Sequence, residues 1–83
     1  MNFGDAQPAL GQAVRALRQR AGLGQEELAL RADLEPDAIR RIEAGEEDPL
    51  WGDMRRLAAA LGVSLKEIAE VAVGFERDDA DAT

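Results

Sequence analysis

The sequence predicts a small all-α domain of five short helices. Three observations predict it. Apolar residues recur at the i, i+3, i+4, i+7 spacing of a helix face, first at Leu10, Ala13, Val14, Leu17 and Ala21. Glycines at 22, 45, 62 and 74 follow such faces and read as helix stops. Between Gln25 and Ile42, two short helical patterns meet with almost nothing between them.

Helix one opens at Pro8, where a missing N–H costs nothing, with Asp5 near its positive end. Gly11 is a poor helix former in its interior, and Gly22 is the expected stop. Met1 to Gln7 reads as an arm. Leu23 is expected between helices one and two, and Gly24 at the N-cap of helix two, which runs to about Ala32.

Helix two presents Leu28, Ala29 and Ala32. Helix three, opened by Pro36, presents Ile39 and Ile42, with Leu34 in the turn. Two helices joined by so short a turn must cross, and Ala29 is the small residue at which they can approach. That is the spacing of a helix-turn-helix, whose second helix can enter a DNA major groove. Asp33 stands in the turn, and aspartate is among the few residues that tolerate a left-handed backbone.

Gly45 ends helix three, and 46–49 form a loop. Helix four is expected over about Leu50 to Leu61, with Trp51, Met54, Leu57, Ala58 and Leu61 facing inward and Trp51, the single tryptophan, as a core anchor. Ser64 and Glu67 have the spacing of a capping box that opens helix five. Leu65, Ile68, Ala69, Val71 and Ala72 follow, and Gly74 is the expected stop. Val71, Val73 and Phe75 exceed what a five-helix core needs and are expected to face outward. The domain thus spans 8–75, between the arm 1–7 and an acidic, disordered tail 76–83 with no apolar face.

Composition narrows the function. Eighty-three residues make one domain with a limited core. The chain has no Cys and no His, so thiolate and imidazole metal sites are excluded, and no metal or other cofactor is expected. Ser64 is the only serine, Thr83 the only threonine, Lys66 the only lysine, and tyrosine is absent. No nucleophile and base pair of the usual kind can be assembled, so no catalytic residues and no enzyme activity are expected. No apolar run approaches the roughly 18 residues of a membrane span. With no signal-peptide pattern, the expected location is cytoplasmic.

Charge pulls the other way from DNA. Ten basic residues face seventeen acidic ones, a net of −7. Binding to phosphate draws on cations, so an acidic chain must gather its arginines on one face to do it. Residues 1–23 net +2 and 24–46 net −4, so the crossing helices are themselves acidic.

The chain resembles the lambda-repressor-like helix-turn-helix family, also called the xenobiotic-response-element family. The residues that carry the resemblance are Leu17-Arg18-Gln19-Arg20-Ala21-Gly22-Leu23-Gly24-Gln25-Glu26-Glu27-Leu28-Ala29, Ile42-Glu43-Ala44-Gly45, Pro49, and Leu57-Ala58-Ala59-Ala60-Leu61-Gly62-Val63-Ser64-Leu65, in that order and separation. They cover roughly Leu10 to Ile68. The resemblance implies a compact five-helix domain that binds double-stranded DNA as a transcriptional regulator. It implies a phosphate contact and a bracing role for Gln25, and groove-facing or backbone-facing positions at Glu35, Pro36, Asp37, Ala38, Arg40 and Arg41. It further implies an internal ion pair between Arg18 and Glu43, and a homodimer formed through the last helix on a two-fold operator.

The chain departs from the family at Asp33, where glycine is usual. Glu35 and Asp37 stand where Ser, Thr, Gln, Asn, Arg or Lys is usual, and Glu46 and Glu47 where a basic or polar residue often touches phosphate. Glu35 and Asp37 could accept from cytosine N4, or simply favour the positive end of helix three. A second reading follows from these acids: a helix-turn-helix scaffold that has lost DNA binding and takes a basic protein partner. If Arg15, Arg20, Arg40, Arg41, Arg55 and Arg56 do not converge beside helix three, this second reading gains.

Overall fold

The computed structural model describes residues 7–81. Five helices follow in order: α1 (Pro8–Arg20), α2 (Gln25–Ala32), α3 (Pro36–Glu43), α4 (Trp51–Leu61) and α5 (Leu65–Asp81). The expected arm, apart from Gln7, and the last two residues of the expected tail lie outside the described residues.

The core is one cluster. Val14 and Leu17 of α1 meet Leu28, Ala29 and Ala32 of α2, Ile39 and Ile42 of α3, Leu57, Ala58 and Leu61 of α4, and Ile68 of α5. Leu23 is buried between α1 and α2, and Leu34 packs on the cluster from the turn. Removing each such side chain from water contributes on the order of 1.5–3 kcal/mol for the larger ones. The longest contact is α1 along α5. α2 packs on α3 and α4, and α1 also lies against α3.

Sharp helix ends make this packing possible. After α1, α3 and α4 the chain turns through Gly22, Gly45 and Gly62, all at positive φ. After α2 the same role falls to Asp33, at φ 56° and ψ 47°. At that turn the Leu34 N–H donates to the Ala29 carbonyl at 2.9 Å, closing the end of α2 where its carbonyls lack helical partners. The crossing of α2 and α3 is thus set by a residue that bears a left-handed backbone at modest cost.

Gly11 has a different reason to be glycine. It is buried in α1 where that helix meets the end of α3. A methyl group there would overlap the carbonyl oxygen of Ile42 and stand 3.1 Å from that of Glu43. The residue that reads as a weak point in helix one is the point of closest approach between α1 and α3.

Several expectations need correction. Trp51 is no core anchor: it is 69% exposed, at the first position of α4. Periodicity places it on the inner face with Met54 and Leu57, but of these only Leu57 is buried and only Met54 and Leu57 reach the core cluster. Ala21 is exposed, because α1 ends at Arg20. α5 does not stop at Gly74 but continues to Asp81. Glycine in a helix costs about 1 kcal/mol relative to alanine and does not break it. Unlike the glycines at true ends, Gly74 is not at positive φ. The box at the start of α5 is half formed: the Glu67 N–H donates to Ser64 Oγ at 3.0 Å. The Glu67 carboxylate pairs instead with Arg20 of α1.

Of the three residues expected to face outward from α5, only Val73 is exposed. Val71 packs on the core and Phe75 is half-buried. No helix among the described residues is long and apolar enough to cross a membrane.

Candidate nucleic-acid interface

The site is built around one carboxylate. Glu43, the last residue of α3, accepts two hydrogen bonds from Arg18 of α1: Nε to Oε2 at 2.6 Å and Nη2 to Oε1 at 2.9 Å. The Arg18 Nη1 donates to the Leu23 carbonyl at 2.9 Å, so the guanidinium also holds the chain between α1 and α2. Gln25, the first residue of α2, donates from Nε2 to Glu43 Oε1 at 3.0 Å. Only 11% of the Arg18 side chain and 4% of the Glu43 side chain are exposed. The hydrogen bond to Glu43 raises the Arg18 pKa further above its ordinary value. One carboxylate therefore joins the first three helices, and it is spent internally.

The outer face of α3 holds a second network. Asp37 Oδ1 accepts from Arg40, Nε at 2.9 Å and Nη2 at 2.8 Å. Asp37 Oδ2 accepts from Arg41 Nη1. Arg41 Nε also donates to Glu47 Oε2 at 3.0 Å, and Glu46 Oε2 stands 4.0 Å from Arg40 Nη1. The hydrogen bond from Arg40, more than the charges around it, holds the Asp37 carboxyl below its usual range. The hydrogen bond to Glu47 comes first among the causes that raise the Arg41 guanidinium. These groups are largely solvated, so the pairs are worth little to stability. Their consequence is electrostatic, since both arginines of α3 are already neutralised from within.

Glu35 is the N-cap of α3 and Pro36 its first residue, and both are exposed. The Glu35 side chain makes no capping hydrogen bond, so its carboxylate remains beside the positive end of the helix. Ala38 is half-buried against the α3–α4 loop. The six arginines do not converge beside α3, which weighs toward the reading with a basic protein partner. Arg15 and Arg40 line one cleft beside α3. Arg41 lies on the other flank, with Glu47 and Asp48. Arg20 is tied to α5, while Arg55 and Arg56 lie on α4 beside Gly52 and Ala59.

A family model described as a helix-turn-helix domain matches residues 9–71. The chain belongs to the lambda-repressor-like helix-turn-helix family. It is similar to an uncharacterized HTH-type transcriptional regulator of Acanthamoeba polyphaga mimivirus, 37% identical over 62 residues. That match takes in 68% of this chain but only 26% of the viral protein. Among solved structures it resembles the restriction-modification controller protein C.AhdI of Aeromonas hydrophila, 31% identical with a TM-score of 0.73. The match covers 75% of this chain and 94% of C.AhdI. It also resembles the clp gene regulator ClgR of Corynebacterium glutamicum, 26% identical with a TM-score of 0.88, over 92% of this chain and 81% of that one.

Within this helix-turn-helix domain, the structure brings Arg18, Gln25 and Glu43 together at one junction, and Asp37, Arg40 and Arg41 on one face of α3. Sequence reasoning missed the closure of that face by Glu46 and Glu47, which lie beyond the helix in the next loop. It also passed over Gly11, whose only signal was a poor helix former where nothing else asked for one.

Proposed function

We propose that this domain is a sequence-specific DNA-binding transcriptional regulator that acts as a dimer and sets α3 in the major groove. The observation that carries the reading is the junction at Glu43. It fixes α3 rigidly to α1 and α2, as a helix offered to a groove needs to be. One N–H of the Gln25 amide is spent on Glu43, and the second remains for a phosphate oxygen. Arg40 and Arg41 are the base and phosphate readers, with Asp37 holding their guanidiniums. Glu35 and Pro36 open the helix at the groove. The regulators among its relatives support the same reading.

Dimerisation uses α5. Its exposed Val73 lies in a shallow groove with Ala69 and Gly74, flanked by Lys66, Glu70 and Arg77. Small and apolar residues between charges of both signs suit a second copy of the same helix, and a two-fold operator requires one.

Selection of bound sequences from a random DNA pool at low salt tests the reading. Recovery of a motif with two half-sites is the expected result. A specific observation favours a second reading, in which the scaffold has lost DNA binding and takes a basic protein partner. Asp37, Glu46 and Glu47 surround the two arginines of α3. Recovery of no motif, with no detectable binding to any duplex, would leave that reading in place.

A further inference from the structure

Every cation near α3 but one is already taken. Arg18 is spent on Glu43, Arg40 on Asp37, and Arg41 on Asp37 and Glu47. Farther away, Arg20, Arg31, Arg56 and Lys66 pair with Glu67, Glu27, Asp53 and Glu70. Among the described residues, Arg15, Arg55 and Arg77 have no acidic partner. Arg55 lies on α4 beside Arg56, and Arg77 on the groove of α5. Arg15 alone opens onto the cleft that α1, α2 and the end of α3 enclose, with Arg18, Gln25, Arg40 and Glu43.

We infer that Arg15 is the principal DNA-phosphate contact of this domain. Affinity that depends on releasing counterions from DNA is supplied by cations that are free to neutralise phosphate. A guanidinium already paired with a carboxylate must first exchange one anion for another and gains little by doing so. Arg15 loses no such partner. It is exposed, so its long side chain can reach a backbone passing over the cleft. The other donors there are the second N–H of the Gln25 amide and Arg40 Nη1, the one guanidinium nitrogen of Arg40 that does not bond Asp37. A phosphodiester has two free oxygens to accept from them. The division of labour differs from what the sequence suggests: the arginines on α3 are oriented by Asp37, and the electrostatic grip comes from α1.

This inference rests on the DNA-binding reading, and its test separates the two. Binding is measured against salt on a selected duplex and a scrambled one, for the full chain and for Arg15→Gln, Arg15→Lys and Arg55→Gln. Each neutralised phosphate contributes about 0.9 to the slope of log K against log salt. Arg15→Gln is expected to reduce the slope by about that amount on both duplexes, because a phosphate contact carries no sequence information. Arg15→Lys is expected to restore it, and Arg55→Gln to leave it unchanged. If the full chain binds and Arg15→Gln keeps the full slope, or Arg55→Gln lowers it equally, the assignment is wrong. If the full chain binds neither duplex, the DNA reading itself fails, and this inference falls with it.

Discussion

Gly11 of α1 lies so close to Ile42 of α3 that the missing side chain of one makes room for the backbone carbonyl of the other. The same two helices are clamped by Arg18 and Glu43. Close approach and ion pair are parts of one junction. The glycine lets the helices come together, and the ion pair with Gln25 holds the end of α3 at that distance.

Gly11→Ala should therefore destabilise the domain, although alanine is the better helix former. The obstacle is a backbone oxygen that cannot rotate away, so α1 must shift. We expect a loss of about 1–3 kcal/mol in chemical denaturation. An unchanged or raised midpoint would mean that α1 and α3 are farther apart than described.

Replacing Arg18 or Glu43 alone should cost about 3 kcal/mol or more, because each leaves the other charge largely buried without its partner. Arg18→Met together with Glu43→Leu should recover part of that loss. A double-mutant cycle reads the coupling directly. Additive single losses would show that the pair is not coupled.

The Asp37 carboxyl should titrate below the ordinary aspartate value of about 3.9. Its folded pKa is depressed, so its contact with Arg40 is fully present above the unfolded value and is lost as pH falls through the lower, folded one. Carboxyl-carbon NMR measures it. Arg40→Gln should raise the midpoint more than Arg41→Gln, since the hydrogen bond from Arg40 is the larger cause. A wild-type midpoint at or above the ordinary value would contradict the network on α3.

If the domain binds DNA, Glu46→Gln with Glu47→Gln should tighten binding on selected and scrambled duplexes alike and steepen the dependence on salt. The change frees Arg41 from one carboxylate and removes repulsion toward phosphate. Arg40→Ala and Arg41→Ala should each cost about 1–3 kcal/mol on the selected duplex if the arginine reads guanine. Equal small losses on both duplexes would mark them as backbone contacts instead.

The sequence by itself determined the five helices, most of the core and the crossing of α2 and α3. Those features rest on local rules: apolar spacing at 3.6 residues per turn, glycine or aspartate where the chain must turn left-handed, and proline at a helix start. The junction of Arg18, Gln25 and Glu43 was also legible, though only through resemblance to a family, since no local rule joins residues 18, 25 and 43. Tertiary structure decided the rest. Trp51 looks inward by periodicity but is exposed, because burial depends on what the fold packs against that one position, and spacing along a helix does not say. Gly74 looks like a stop but is not one, because a helix ends at glycine only when the backbone turns there. Which arginines are free is likewise a matter of space. Glu46 and Glu47 follow α3 in the chain, yet only the folded loop brings them back onto Arg40 and Arg41, leaving Arg15 unpaired on the neighbouring helix. Composition counts charges, but electrostatics acts through distances, and the fold sets those.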